Sequence, residues 1–102
     1  MANTSYIFDW DPKKAWSNLK KHRVSFRLAT SVFRDPLALT IFDEDHSTDE
    51  ERWVSIGRAE SGQTLVVIHV SEWTSRTEIK VRLISARKAD RDELRDYENA
   101  PR

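Results

Sequence analysis

Apolar positions along this chain keep a two-residue period in some stretches and a three-to-four-residue period in others, and the switches between them outline a fold. Tyr6, Phe8 and Trp10 recur at every second position, as in a short strand. Asp11-Pro12 then joins a helix N-cap to a proline suited to the first helical turn. The helix that follows groups Ala15, Trp16 and Leu19 on one face, with Lys13, Lys14, Lys20 and Lys21 mostly on the other, and ends at His22 and Arg23. Trp10 and Trp16 are expected in the core. Ser25 caps a second helix carrying Phe26, Ala29, Thr30 and Phe33, halted before Asp35-Pro36.

Residues 37–42 and 53–57 read as strands on either side of an acidic loop, and Ser61-Gly62 as a hairpin turn. Residues 64–70 are apolar on both parities, as in a central strand covered on both faces. Residues 71–75 turn the chain into a strand over 76–85, where Ile79, Val81 and Leu83 alternate with Glu78, Lys80 and Arg82. Asp90 and Glu93 form a capping-box pattern opening a last helix over 90–98, with Leu94 and Tyr97 one turn apart. The order predicts an α+β sandwich: a twisted, mainly antiparallel sheet, two N-terminal helices, a short C-terminal helix and a partly open second face. Such a sheet serves enzymes and RNA-binding domains alike, so the fold does not decide the function.

The length of 102 residues supports one domain spanning 1–102. Cysteine is absent, which removes disulfides, thiolate catalysis and thiolate metal sites. No stretch approaches the roughly 20 apolar residues of a membrane span, and the first residues lack a signal-peptide pattern, so a cytoplasmic protein is expected. The net charge is zero, but its distribution is uneven. Residues 43–60 hold seven acids against two arginines, and residues 76–91 hold six cations against two acids.

The acidic loop places Asp43, Asp45, Ser47, Asp49 and Glu51 at the odd positions of a calcium loop. Thr48 stands where glycine is needed and Val54 where a bidentate glutamate is needed, so a solvated loop is the expectation. His22, His46 and His69 lie on different elements without metal-ligand spacing, so no metal or other cofactor is expected. His69 fits a hydrogen-bonded core position. His22 could serve as general acid or base, or simply balance a helix terminus. The remaining chemistry is cationic and aromatic: Lys20, Lys21, Arg52, Arg58, Lys80, Arg82, Arg87 and Lys88, with Trp53, Trp73 and Tyr97. Phosphate-neutralising cations beside stacking faces are what single-stranded RNA binding requires, although solvated ion pairs are the simpler account of the cations alone.

Five ordered blocks then resemble one family: Phe8-Asp9-Trp10-Asp11; residues 18–26, Asn-Leu-Lys-Lys-His-Arg-Val-Ser-Phe; Val32-Phe33-Arg34-Asp35-Pro36; Asp45-His46-Ser47 through Glu50-Glu51-Arg52-Trp53 to Ile56-Gly57; and residues 82–89, Arg-Leu-Ile-Ser-Ala-Arg-Lys-Ala, followed by Glu93 and Tyr97-Glu98. The chain is similar to the BrnT toxins, RelE-like members of type II toxin–antitoxin systems. The resemblance implies a RelE-like fold, metal-independent RNA cleavage, inhibited translation and growth arrest. It also implies a BrnA-like antitoxin in a heterotetramer that contacts DNA only through the antitoxin, and no membrane association. Where the family usually has glycine, this chain has Arg23, which must either adopt a left-handed conformation or end the helix differently.

On this basis Arg82 and Arg87, supported by Arg52 or Lys88, are expected to stabilise charge on the reacting phosphate, with His22 as general acid or base. Lys20, Lys21, Trp53, Arg58 and Tyr97 are expected to bind substrate. A non-catalytic RNA- or antitoxin-binding module is the alternative. Arg82 and Arg87 have opposite strand parity and converge only if the chain bends between them, for which Ser85-Ala86 is the expected place.

Overall fold

Five strands form one mixed sheet in the order β1-β5-β4-β3-β2. A computed structural model describes residues 4–101; residues 1–3, on which part of the signal-peptide expectation rests, and residue 102 lie outside it. The strands are β1 (Ser5–Asp9), β2 (Leu39–Phe42), β3 (Trp53–Arg58), β4 (Thr64–Trp73) and β5 (Glu78–Lys88). The α-helices are α1 (Pro12–His22), the one-turn α2 (Phe26–Ala29) and α3 (Arg91–Asn99). β2 through β5 pair antiparallel in succession, as expected, whereas β1 joins the far edge parallel to β5.

Some boundaries differ from the sequence expectation. The second helix keeps α geometry for four residues and continues as a 3-10 helix over Thr30–Arg34. β4 extends to Trp73 and β5 starts at Glu78 because the turn is closed later, by Thr74 and Ser75 amides bonded to the Glu78 carbonyl. β5 also runs on to Lys88 instead of ending at 85.

The larger core lies between the sheet and the N-terminal helices, where Val24, Phe26, Ala29 and Val32 meet Leu65, Val67, Val81, Leu83 and Ala86. A smaller one, Ile56, Val66 and Tyr97, lies on the opposite face under α3. β4 is therefore covered on both faces along part of its length, which explains its apolar residues of both parities.

α1 is turned differently from the amphipathic expectation. Its buried residue is Asn18, while Trp16 is 64% exposed and Leu19 40% exposed. Beyond Arg82, β5 has no β1 partner, leaving its edge amides and carbonyls open. Asn18 fills that gap: its carboxamide donates to Ala86 O at 2.8 Å and Val24 O at 2.9 Å and accepts from Ala86 N at 3.0 Å. Anchoring the helix through this amide rotates the Trp16–Leu19 stripe outward. Trp10 packs on the core as expected, edge-on to Phe26.

Arg23 takes the left-handed conformation, φ 59° and ψ 27°, and its amide bonds Leu19 O at 2.9 Å. Lys21 and His22 consequently remain helical.

Candidate active site

Arg82 and Arg87 come to share one sheet face through a bulge in β5. Ile68 faces Ser85 and His69 faces Leu83, so Ile84 is one residue too many for the ladder. Arg82, Ser85 and Arg87 stand opposite Val70, Ile68 and Val66, alternate residues of β4, and therefore point to the same side. Leu83 and Ala86, opposite His69 and Val67, point into the helix-side core. The phase change falls at Ile84, just ahead of the expected Ser85-Ala86. The partners of the two arginines lie four positions apart on β4, placing their backbones about 13 Å apart along the strand.

The Arg82 end of this face is polar. Asp9, the last residue of β1, pairs with Arg82, and Lys80 lies one step earlier on the same side. The acidic loop arches over from β2. Its neck is tied by Asp43 N to Arg52 O at 2.9 Å and by Ser47, whose hydroxyl donates to Asp43 O and accepts from Arg52 N. Glu50 reaches Arg82, with Nη2 and Oε2 2.5 Å apart and both side chains about two-fifths exposed. The Arg82 hydrogen bond, helped by the charges of Arg82, Arg52 and Lys14, holds the Glu50 carboxyl below the usual carboxylate value. Glu50 is thus ionised at neutral pH and occupies one terminal nitrogen of the Arg82 guanidinium.

Arg87 makes the other fork. Its two terminal nitrogens donate to both oxygens of Glu93 at 2.7 and 2.8 Å. Glu93 also closes the capping box of α3 by accepting from Asp90 N. This pair ties the end of β5 to the first turn of α3.

The other predicted residues fall into separate groups. Lys88 belongs to the opposite parity from the arginines and lines a shallow recess with Arg58 beside α3. Tyr97 is 6% exposed, donates to Asp35 Oδ2 at 2.5 Å and lies under the Arg58 guanidinium, so it is a core residue with no face open for stacking. Trp53 is half-buried, pairs with His69 on the helix-side parity and meets Phe42 edge-on. Lys20, Lys21 and His22 end α1, on the helix layer. His22 lies about 12 Å along the helix axis from Lys14, the α1 residue whose charge reaches Glu50. The structure therefore joins Arg82 to Glu50, with the charges of Arg52 and Lys14 in reach of that carboxylate, and places His22 at the far end of α1 from Lys14.

Two further polar centres lie within the fold, and only the second, His69, was singled out by the sequence. Asp35 accepts from Leu37 N, Arg58 N and Tyr97 Oη, joining the N-terminal layer to α3 across the end of the sheet. His69 meets the expectation of a hydrogen-bonded core histidine: its ring nitrogens bond Ser55 and Ser71 hydroxyls, each at 2.8 Å, and Ser55 bonds Thr40. Burial pushes its pKa from 6.5 down to about 4, so the imidazole is neutral. Among the described residues no cluster of three His, Asp or Glu side chains could hold a metal ion, and no helix is long and apolar enough to cross a membrane.

The fold and its site define a small α+β domain with a mixed five-stranded sheet and an arginine-bearing face. Residues 10–93 match the family described as the ribonuclease toxin, BrnT, of type II toxin–antitoxin systems. The chain belongs to that family. Its fold is similar to the 1.1 Å crystal structure of the Brucella abortus ribonuclease toxin, BrnT, with a TM-score of 0.58 and 23% identity, covering 86% of this chain and all of the other. No curated protein matches. Membership carries with it an antitoxin partner.

Proposed function

We propose that this protein cleaves RNA without a metal ion, by attack of a ribose 2′-hydroxyl on the adjacent phosphate, and thereby inhibits translation and arrests growth. The observation that carries this reading is the bulge at Ile84, which turns Arg82 and Arg87 onto one face. Arg82, assisted by Arg52 and Lys14, stabilises the charge that builds on the phosphate oxygens. The substrate phosphate displaces Glu50 from Arg82. Once released from the guanidinium, the Glu50 carboxylate becomes more basic and accepts the 2′-hydroxyl proton. The O2′–P bond forms, the P–O5′ bond breaks, and the 5′-oxygen takes a proton from a water that is itself reprotonated by Glu50, leaving a cyclic phosphate, a 5′-hydroxyl and the Glu50 carboxylate restored.

Arg87, anchored by Glu93, offers a second phosphate contact further along the strand. His22 is the other candidate for acid or base, and the direct contact of Glu50 with Arg82 favours Glu50. The cellular context proposed with this chemistry is the cytoplasm, with a BrnA-like antitoxin in a heterotetramer that reaches DNA only through the antitoxin. One observation favours the second reading, a non-catalytic binding module: both arginines are already paired with carboxylates.

Labelled RNA incubated with purified protein in chelator tests the reaction. New 5′-hydroxyl ends are expected, lost in Arg82→Ala. Glu50→Gln is expected to cut cleavage about 10²–10⁴-fold while RNA binding persists. An RNA that shifts but stays intact would establish the binding module instead. Full cleavage by Glu50→Gln together with loss in His22→Ala would move the proton acceptor to His22.

A further inference from the structure

α1 presents its most apolar stripe to solvent, and the segment around it carries charge of one sign only. Residues 12–34 contain seven cations and no carboxylate. Among the described residues only Arg34 of these forms a salt bridge, with Glu60 at 3.0 Å. Lys13, Lys20, Lys21, Arg23 and Arg27 have no carboxylate partner among the described residues.

Between α1 and α2 lies a groove of about 320 Å³, lined chiefly by Trp10, Ala15, Trp16, Leu19, Phe26 and Arg27. It continues past Trp16 and Leu19 into a shallow concavity bordered by Lys20 and Arg23. The groove floor is apolar and its rim is basic. Arg23 reinforces that rim from a left-handed position, a conformation that costs a non-glycine residue about 1–2 kcal/mol.

We propose that this groove docks an acidic amphipathic helical segment of the cognate antitoxin. The proposal rests on the toxin–antitoxin reading and adds where and by what chemistry the partner is held. Apolar side chains one helical turn apart would enter beside Trp16 and Leu19, and flanking carboxylates would meet Lys20, Arg23 and Arg27. Single-stranded RNA fits the groove less well. Base stacking needs a free aromatic face, whereas the Lys20 ammonium lies 5.9 Å from the centroid of the Trp16 ring, and the floor offers almost nothing to bond base edges. The surface lies on the helix layer, away from the face that carries Arg82, so occupation of the groove and of the arginine face are separable.

The test is calorimetric titration of the purified toxin with the antitoxin encoded beside it, for the wild type and for Trp16→Ala, Leu19→Glu and Arg27→Glu, each shown by circular dichroism to be folded. Affinity is expected to fall at least about tenfold in each variant. Wild-type binding should weaken with salt more steeply than that of Arg27→Glu. Equal affinity in folded variants would overturn the groove assignment and leave the antitoxin reading standing. Absence of wild-type binding would remove the antitoxin reading and the groove with it. Labelled oligouridine that binds the wild type and is lost in Trp16→Ala would make the groove a nucleic-acid surface. Sedimentation showing self-association broken by Trp16→Ala would make it a contact between copies of this chain. Either result overturns the proposal.

Discussion

Replacing Asn18 by alanine tests whether a single side chain substitutes for the missing part of β1. The carboxamide makes three hydrogen bonds, two donated to Val24 O and Ala86 O and one accepted from Ala86 N. Truncation strands one amide hydrogen and two carbonyl oxygens beneath α1, where Asn18 is 7% exposed. Each buried group left unpaired costs about 1–3 kcal/mol, the amide at the upper end and the carbonyls at the lower, so a total of about 3–5 kcal/mol is expected. For a domain of this size that lowers Tm by about 12 °C or more. Asn18→Asp sharpens the test. It keeps the acceptor for Ala86 N but points carboxylate oxygen at two carbonyls, and should destabilise at least as much as alanine despite its matching shape. The assay is urea unfolding followed by circular dichroism, with hydrogen exchange at the Ala86 amide as the local readout. A loss below about 1 kcal/mol in Asn18→Ala, or an aspartate variant as stable as wild type, would refute the account of Asn18 as a strand-edge cap.

Arg23→Gly should stabilise the protein by about 1 kcal/mol by relieving the left-handed C-cap, seen as a rise of several degrees in Tm. Gly57→Ala should destabilise by about 1–3 kcal/mol in urea unfolding, because its methyl would lie 2.8 Å from Val32 Cγ1 and 3.0 Å from Ala38 Cβ. The unfolded chain protonates His69 near 6.5, while the folded chain keeps it neutral down to about 4. Stability contributed by this difference is complete above pH 6.5 and falls toward pH 4 by roughly 1.4 kcal/mol per pH unit; His69→Gln should flatten that slope in urea midpoints measured across the range. Glu93, held below the usual carboxylate value chiefly by its hydrogen bond from Arg87, contributes stability that is present above pH 4.5 and lost as pH falls through its folded value. Glu93→Gln should weaken that acid limb in the same experiment.

Local signals in the sequence located most elements. The Asp11, Ser25 and Asp90 caps each bond the amides expected of them, and the alternation around Ile79–Leu83 named the buried side of β5. Long-range pairing was not legible. Nothing in residues 5–9 says that they join a strand seventy residues away in parallel, and so nothing says that β5 outruns its partner and needs Asn18. That is why Trp16 was expected inside and is found outside: the period of α1 was readable, its rotation was not. Arg82 was legible as a candidate, whereas Glu50 was one acid among seven until the loop neck aimed it. Tyr97 was misplaced for a related reason, since Asp35, its partner, lies 62 residues earlier. The run of residues 12–34 without a carboxylate was visible in the sequence, but only the exposure of Trp16 and Leu19 shows that it surrounds an uncovered apolar stripe.

Ile84 makes β5 a strand with two reading frames. Before it the inward residues are odd-numbered, Val81 and Leu83; after it the inward residue is Ala86. Such a junction behaves as a half-period phase shift: losing Ile84 would restore an unbroken ladder with Arg82 and Arg87 still on one face, whereas flattening the bulge without losing a residue would push Arg87 into the apolar layer or a core leucine into water. The bulge, and not the spacing alone, is therefore what gives the two arginines one face. Substitutions in the segment between them can be graded by size and polarity, but one that flattens the bulge acts as an inversion.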